Sequence, residues 1–160
     1  MHTQEEIAKV ADLIKDIRFA MLTTKCADGT LSSRPMTPQG GEFDGTLWFL
    51  TGERTHKTQE IARNPEVNLA YVNTDDNAYV SISGRAVVLD DRAKARELWN
   101  PAYRAWFPDG VDDPDLRVLR VDVTSAEYWD SPSSAVVHLL GLAKAMVTGQ
   151  RYEGGEHGRI

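Results

Sequence analysis

With 160 residues and a net charge of −6, the chain is long enough for one domain with a hydrophobic core and too acidic for a general nucleic-acid surface without a strong local basic patch. Its single cysteine, Cys26, excludes an internal disulfide and fits a reducing compartment. No apolar run approaches the ~20 residues that span a bilayer, and no basic leader precedes an apolar stretch, so the expected setting is the cytoplasm.

A capping box, Thr3 with Glu6, precedes Ile7, Val10, Ala11, Ile14 and Ile17 at helical spacing, which predicts a helix from about Thr3 to Ile17. Phe19-Ala20-Met21-Leu22-Thr23-Thr24 changes period and predicts a strand apolar on both faces. Asp28-Gly29 is a hairpin signal, and the returning strand, Thr30 to about Pro38, is far more polar. Pro35 inside it removes a ladder donor and predicts an edge or a bulge, leaving backbone around Ser33-Arg34-Pro35-Met36 available to a ligand. Gly40-Gly41 and Asp44-Gly45 predict a second hairpin that returns as the strand Thr46 to Thr51. A helix from Thr55 to Asn64 follows and is stopped by Pro65. Glu66 to Thr74 then alternates as a strand, with Val67, Leu69 and Tyr71 on one face.

Asp75-Asp76-Asn77 turns the chain into a long strand, Tyr79 to Leu89, where Gly84 marks a bulge or bend. Asp90 or Asp91 caps a helix from Arg92 to Trp99. In the aromatic and acidic segment 101–115, Trp106 and Phe107 either wall a ligand pocket or pack a loop, and the loop's length and polarity favour the pocket. A last strand runs from Leu116 to Thr124 and continues through Glu127-Tyr128-Trp129-Asp130. Ser133 or Ser134 caps a helix through about Thr148, with Gly149 as its stop. Val137 and Leu142 widen that helix's apolar face beyond what a monomer surface needs, a hint of a partner subunit. Residues 1–149 read as the domain and residues 150–160 as a loosely ordered tail. Six strand signals in antiparallel hairpin order, interrupted by short helices, predict a mainly β, α+β fold built on a small antiparallel barrel.

The stretch Thr51-Gly52-Glu53-Arg54-Thr55-His56-Lys57 carries the chemistry. Thr55 is placed to cap the following helix by accepting a first-turn N–H. Arg54, His56 and Lys57 crowd a helix end that already carries partial positive charge, which disfavours each exposed cation by roughly 0.3–1 kcal/mol. A bound anion reverses that sign, since free N–H groups, a hydroxyl and cations then converge on it. The stretch therefore reads as a phosphate site; the competing reading is a surface helix whose packed face tolerates its charges.

The ordered set of motifs resembles the pyridoxamine 5'-phosphate oxidase-like superfamily of flavin-binding split barrels, and within it the general stress protein 26 group. The motifs are Ser-Arg-Pro-Met, then Leu-Trp-Phe-Leu-Thr, Thr-His-Lys at a helix start, Asn-Pro-x-Val-x-Leu-x-Tyr, Ser-Gly-Arg-Ala, and a late Glu-Tyr-Trp-Asp-Ser. The resemblance spans nearly the whole chain. It implies a six-stranded antiparallel split β-barrel with flanking helices, assembled as a homodimer with FMN at the subunit interface. By that resemblance Arg34 and Lys57 hold the FMN phosphate, helped by Thr51 and His56. Pro35, Met36 and Thr37 line the isoalloxazine, mostly through backbone groups, and Leu50 lies at the flavin edge. Tyr79 stands where the oxidases place a glutamine from the second subunit, and Trp129 matches a late aromatic near the cofactor. Arg34 also has a plain alternative as a salt bridge on the barrel rim. The vitamin oxidases end in an Arg-Leu-His-x-Arg segment that grips pyridoxine phosphate. Here residues 131–142 hold only His138, which argues against that activity.

Other constellations are weaker. His2, His56, His138 and His157 show no metal spacing with one another or with Cys26. Cys26 beside Lys25 reads as a passive hairpin residue, and the Asp75-Asp76 and Asp112-Asp113 pairs read as turns. Gly154-Gly155-x-x-Gly158 lacks the strand and helix of a dinucleotide loop. No Ser-His-Asp or Cys-His arrangement is evident, and no residue is a clear catalytic acid or base. Four readings stay open: an FMN-dependent oxidoreductase acting on a small molecule, a flavin-binding stress protein without turnover, a protein of the deazaflavin F420, and an oligonucleotide-binding barrel. The acidic balance disfavours the last.

Overall fold

The structure is a computed structural model that describes residues 3–39, 41, 43–131, 135–149 and 155–159. Helix α1 (Gln4–Ile14) starts at the predicted capping box: Thr3 Oγ1 accepts the Glu6 N–H at 3.2 Å, and a Glu6 carboxylate oxygen accepts the Thr3 N–H at 2.6 Å. It buries Val10 and Ile14 over the barrel. Strands β1 (Ala20–Lys25) and β2 (Leu31–Met36) form the first hairpin, turned at Gly29 with φ +87°. Strand β1 alternates instead of being apolar on both faces: Ala20, Leu22 and Thr24 are buried, while Met21 and Lys25 are exposed. Strand β2 is a sheet edge, as Pro35 required.

Strand β3 (Thr46–Gly52) leads into helix α2 (His56–Arg63), and strands β4 (Glu66–Asn73) and β5 (Ala78–Leu89) form the next hairpin. Its turn places Asn77 at φ 50°, a conformation asparagine tolerates. Asp91 caps helix α3 (Arg92–Leu98), its carboxylate accepting the Lys94 N–H at 2.9 Å. Two short 3₁₀ turns lead to strand β6 (Leu116–Asp130), which runs without a break. The β5–β6 register shifts between Ser83 and Gly84. A Cβ at Gly84 would lie 2.6 Å from Val121 and 2.8 Å from the Asp122 carbonyl, so that bulge requires glycine. Helix α4 (Ala135–Thr148) ends at Gly149 with φ +65°. The proposed caps Ser133 and Ser134 lie outside the described residues, as do the side chains of Val137 and His138.

The strand order is β2-β1-β4-β5-β6-β3, antiparallel throughout. The expected second hairpin is not a β2–β3 ladder. Strand β3 pairs with β6 at the opposite edge of the sheet, and one bridge, Gln39 to Trp48, links the two edges. The sheet thus curls into a split barrel. A seventh strand, β7 (Glu156–Arg159), pairs with the end of β6. The tail was expected to be loose because its composition is polar. Within it, residues 156–159 are tied by ladder bonds, by Tyr128 donating to Glu156 at 2.9 Å, and by His157 stacked on Trp129 at 5.2 Å.

The main core fills the barrel under α1, with Leu22, Phe49, Leu69, Tyr71, Ile82 and Leu119 at its centre. A smaller cluster of Ala95, Leu98, Phe107, Leu116 and Val118 lies under α3. Phe107 belongs to that cluster and packs the loop, whereas Trp106 is exposed, and neither borders the cleft that lies between α1 and α3. No helix among the described residues is long and apolar enough to cross a membrane.

Candidate functional site

Strand β3 delivers Thr51 and Gly52 to the open end of α2. A Cβ at Gly52 would lie 2.6 Å from an Asp115 carboxylate oxygen, so a larger residue there would displace that side chain. Thr55 is the N-cap, with extended backbone, but its hydroxyl does not accept a first-turn N–H. It donates to the Gly52 carbonyl at 3.1 Å and meets the Thr58 hydroxyl at 2.9 Å, while Thr58 donates to the same carbonyl at 2.9 Å. Two hydroxyls thus serve one carbonyl. The N–H groups of His56 and Lys57 have no acceptor among the described residues, which is the unsatisfied helix end that anions favour.

The three cations of this stretch have different surroundings. Arg54 is exposed and paired with Asp115 at 3.1 Å, and the same carboxylate oxygen accepts the Arg54 N–H at 3.2 Å. Its misplaced charge is thereby answered within the chain. The His56 side chain is exposed. Lys57 is half-buried, and its ammonium makes no hydrogen bond or ion pair among the described residues. Burial and then the nearby Arg34 charge push its pKa down, partly offset by Asp115 and Glu60. On the strand that leads into this helix, Thr51 is buried and its Oγ1 has no hydrogen-bond partner. A desolvated cation without a counter-ion and an orphaned hydroxyl both cost stability, and both are answered by an anion.

Arg34 projects from β2 on the core-facing side of the sheet. Its Nη1 donates to the Thr24 hydroxyl at 2.5 Å and to the Leu22 carbonyl at 3.4 Å, and its Nη2 reaches Glu60 of α2 at 3.1 Å. Thr24 is 1% exposed and passes its own proton to the same Glu60 oxygen at 2.6 Å. The Thr24 hydroxyl, the Cys26 thiol and Arg34 hold the Glu60 carboxyl below the usual glutamate range, against the opposing effect of burial. Arg34 is therefore the rim salt bridge of the alternative reading. It still keeps Nε–H and one Nη2 hydrogen for a ligand. Glu60, Thr24 and Asp115 were missed from sequence. The spacing of Glu60 one helical turn after Lys57 was the available signal for the first; the other two are brought in by distant strands.

The remaining expected residues divide between faces. Met36 is buried in the core, and Leu50 packs toward the α3 cluster. Pro35 and Thr37 are exposed on the edge strand and just after it. Tyr79 and Trp129 are register partners on the outward face of β5 and β6, the opposite face from Arg34. One chain therefore brings the Arg34 and Lys57 charges near each other, with Thr51 on the incoming strand and His56 at the helix start, and holds Tyr79 and Trp129 on the opposite face of the sheet. A cleft of about 1170 Å³ lies between α1, residues 37–48 and α3, and of the expected site residues only Thr37 borders it.

Comparison with known proteins gives a consistent result. The family model described as pyridoxamine 5'-phosphate oxidase like matches residues 5–153. General stress protein 26 of Bacillus subtilis is 31% identical over 143 residues, covering 87% of this chain and 99% of that protein. Protein bli-3 of Neurospora crassa is 29% identical over 156 residues, covering 91% of this chain and 75% of that one. The crystal structure of the general stress FMN/FAD binding protein from Xanthomonas citri aligns with a TM-score of 0.71 at 32% identity, covering 82% of this chain and 93% of that one.

Proposed function

Because this chain belongs to the pyridoxamine 5'-phosphate oxidase-like family, we propose that it binds FMN at the mouth between β3 and α2. The observation that carries this reading is Lys57: a half-buried ammonium with no ion pair among the described residues, under the repulsion of the Arg34 charge, at a helix end whose incoming strand carries an orphaned buried hydroxyl. Lys57 and the Arg34 edge left open would take the phosphate oxygens, with the His56 and Lys57 N–H groups, Thr51 and the His56 ring completing the cradle. The binding of FMN or FAD by the Xanthomonas citri relative, 32% identical, supports the same occupant.

The ring system would lie along β2. As an edge strand, β2 leaves one side of its backbone unpaired, and Pro35 to Thr37 supply that side next to the flavin. Leu50 closes the apolar edge. Bound there, the flavin supplies two-electron chemistry; the protein clamps the phosphate, orients the ring and excludes water. Oxidoreduction of a small molecule is the activity this arrangement suits, with FMN rather than a deazaflavin as carrier.

A second copy of the chain completes the site. The outward sheet face exposes Phe19, Met21, Val72, Tyr79 and Trp129, at 60%, 42%, 51%, 39% and 41%. Such a contiguous apolar face on neighbouring strands suits a protein partner. Pairing through it would carry Tyr79 and Trp129 to the partner's flavin, where one chain alone cannot place them.

The test is purification without added cofactor, followed by a visible spectrum and the mass of whatever is released. Oxidised FMN is expected. A deazaflavin spectrum would replace the carrier, and a colourless protein that takes up no FMN would overturn the proposal. Consumption of NADH or NADPH by the loaded protein would then separate an oxidoreductase from a protein that only holds its cofactor.

A further inference from the structure

We infer that Glu60 is a positioning residue for the phosphate site, acting through Arg34 and the Thr24 hydroxyl; the inference rests on the FMN reading above. Glu60 and Lys57 stand one turn apart on α2, so they share a helix face. Lys57 points its charge at the ligand directly. Glu60 does so at one remove: a single carboxylate oxygen accepts from Arg34 Nη2 at 3.1 Å and from Thr24 Oγ1 at 2.6 Å, and Thr24 Oγ1 in turn accepts from Arg34 Nη1 at 2.5 Å. This closed three-member ring fixes the plane of the guanidinium. The side chains are shielded, with Arg34 at 21% and Glu60 at 13% exposure. Arginine presents its donors as a rigid fork, so fixing one edge fixes where the other edge points. The edge left over carries the Nε–H.

The consequence is mechanical as well as electrostatic. Helix α2 holds one phosphate cation covalently and the other through Glu60, so both contacts move with the same helix. Strand β2 alone would leave Arg34 with free rotamers, and ordering them on binding would weaken the complex.

A carboxylate this close to a phosphate dianion has two opposite possible effects. A spectator Glu60 only repels the ligand, and Glu60→Gln would then tighten FMN binding. A positioning Glu60 orders Arg34, and Glu60→Gln loosens it. The two differ in sign.

The experiment titrates the full-length protein with FMN and with riboflavin, comparing wild type, Glu60→Gln, Glu60→Asp, Arg34→Ala and the Arg34→Ala/Glu60→Gln pair, with thermal unfolding of each apo form as the check on folding. Glu60→Gln is expected to weaken FMN by about tenfold and riboflavin by less than about twofold, with coupling to Arg34. On the Arg34→Ala background the same change is expected to be silent or to tighten FMN. Thr24→Val, which removes the bridging hydroxyl, is expected to follow Glu60→Gln in direction. If Glu60→Gln tightens FMN in the presence of Arg34, or weakens riboflavin equally, the positioning role is overturned while FMN binding stands. If wild type binds neither flavin, the function itself fails first.

Discussion

Arg34 and Lys57 are the two cations of the proposed phosphate site, and the chain holds them under opposite conditions. Arg34 is supplied with acceptors by the chain: a carbonyl and a hydroxyl from β1 and a carboxylate from α2. Lys57 has none, and its pKa is pushed down by burial and by Arg34. The first is a structural residue with spare donors; the second makes no hydrogen bond or ion pair among the described residues, and the more distant Asp115 and Glu60 charges only partly offset its desolvation. A site built in this way folds around one cation and reserves the other. Position near a helix end therefore does not separate a charge that the chain answers from one that it leaves desolvated; the surroundings of each side chain do.

The comparison breaks most visibly by substitution of the reserved cation. Lys57→Met is expected to weaken FMN by about 100-fold, the loss of one strong charge-assisted contact, without lowering the thermal stability of the apo protein. Arg34→Ala is expected to weaken FMN as well, and also to destabilise the apo protein by about 2 kcal/mol, because Glu60 is left partly buried without its cation. Flavin fluorescence titration and thermal unfolding of both variants check the pair. Equal loss of apo stability in the two would erase the distinction.

The same contrast has a pH signature on each side. Glu60 has a depressed pKa in the folded state, so its stabilising contribution is complete above the ordinary value of 4.5 and is lost as pH falls below it. Lys57 is depressed too, but for a base that sign is reversed. The unfolded chain holds the proton up to the ordinary 10.5, so apo stability gains as pH rises through the lower folded-state pKa. FMN supplies the missing counter-charge and is expected to abolish the alkaline gain. Denaturant unfolding across pH, with wild type against Glu60→Gln and Lys57→Met, reads both effects. Smaller still is Thr51→Val: removal of an orphaned hydroxyl is expected to leave apo stability unchanged or raise it by about 1 kcal/mol, while weakening FMN a few-fold. Arg54→Ala, at an exposed pair with Asp115, is expected to change stability by less than about 1 kcal/mol.

Much of the barrel was legible because its signals are local. The Thr3–Glu6 capping box, the Asp28-Gly29 turn, the edge proline Pro35 and the bulge at Gly84 each name a backbone geometry that few other residues satisfy, and each stands where the sequence put it. The hairpin expected between β2 and β3 failed because turn residues announce a change of direction but do not name the partner strand; β3 crosses to β6. The tail failed for a related reason. Gly158 lies over Tyr128, where a Cβ would approach the ring to 2.5 Å, and that long-range fit has no local sign in a polar, glycine-rich segment. At the proposed site, the crowding of Arg54, His56 and Lys57 at a helix end was legible, but which of these cations the chain itself answers was not. Arg54 is answered by Asp115, which arrives from 61 residues away in sequence. The ring of Arg34, Thr24 and Glu60 spans two strands and a helix, and such a constellation is visible only once the sheet order is known.

The central claim is that this site exists to receive a phosphate ester. The measurement closest to it is paired titration of the apo wild-type protein with FMN and riboflavin, which share the ring and differ in the phosphate. The account predicts that FMN binds about 100-fold more tightly than riboflavin, and that Lys57→Met removes most of that gap. Equal affinity for the two flavins in the wild-type protein would contradict it.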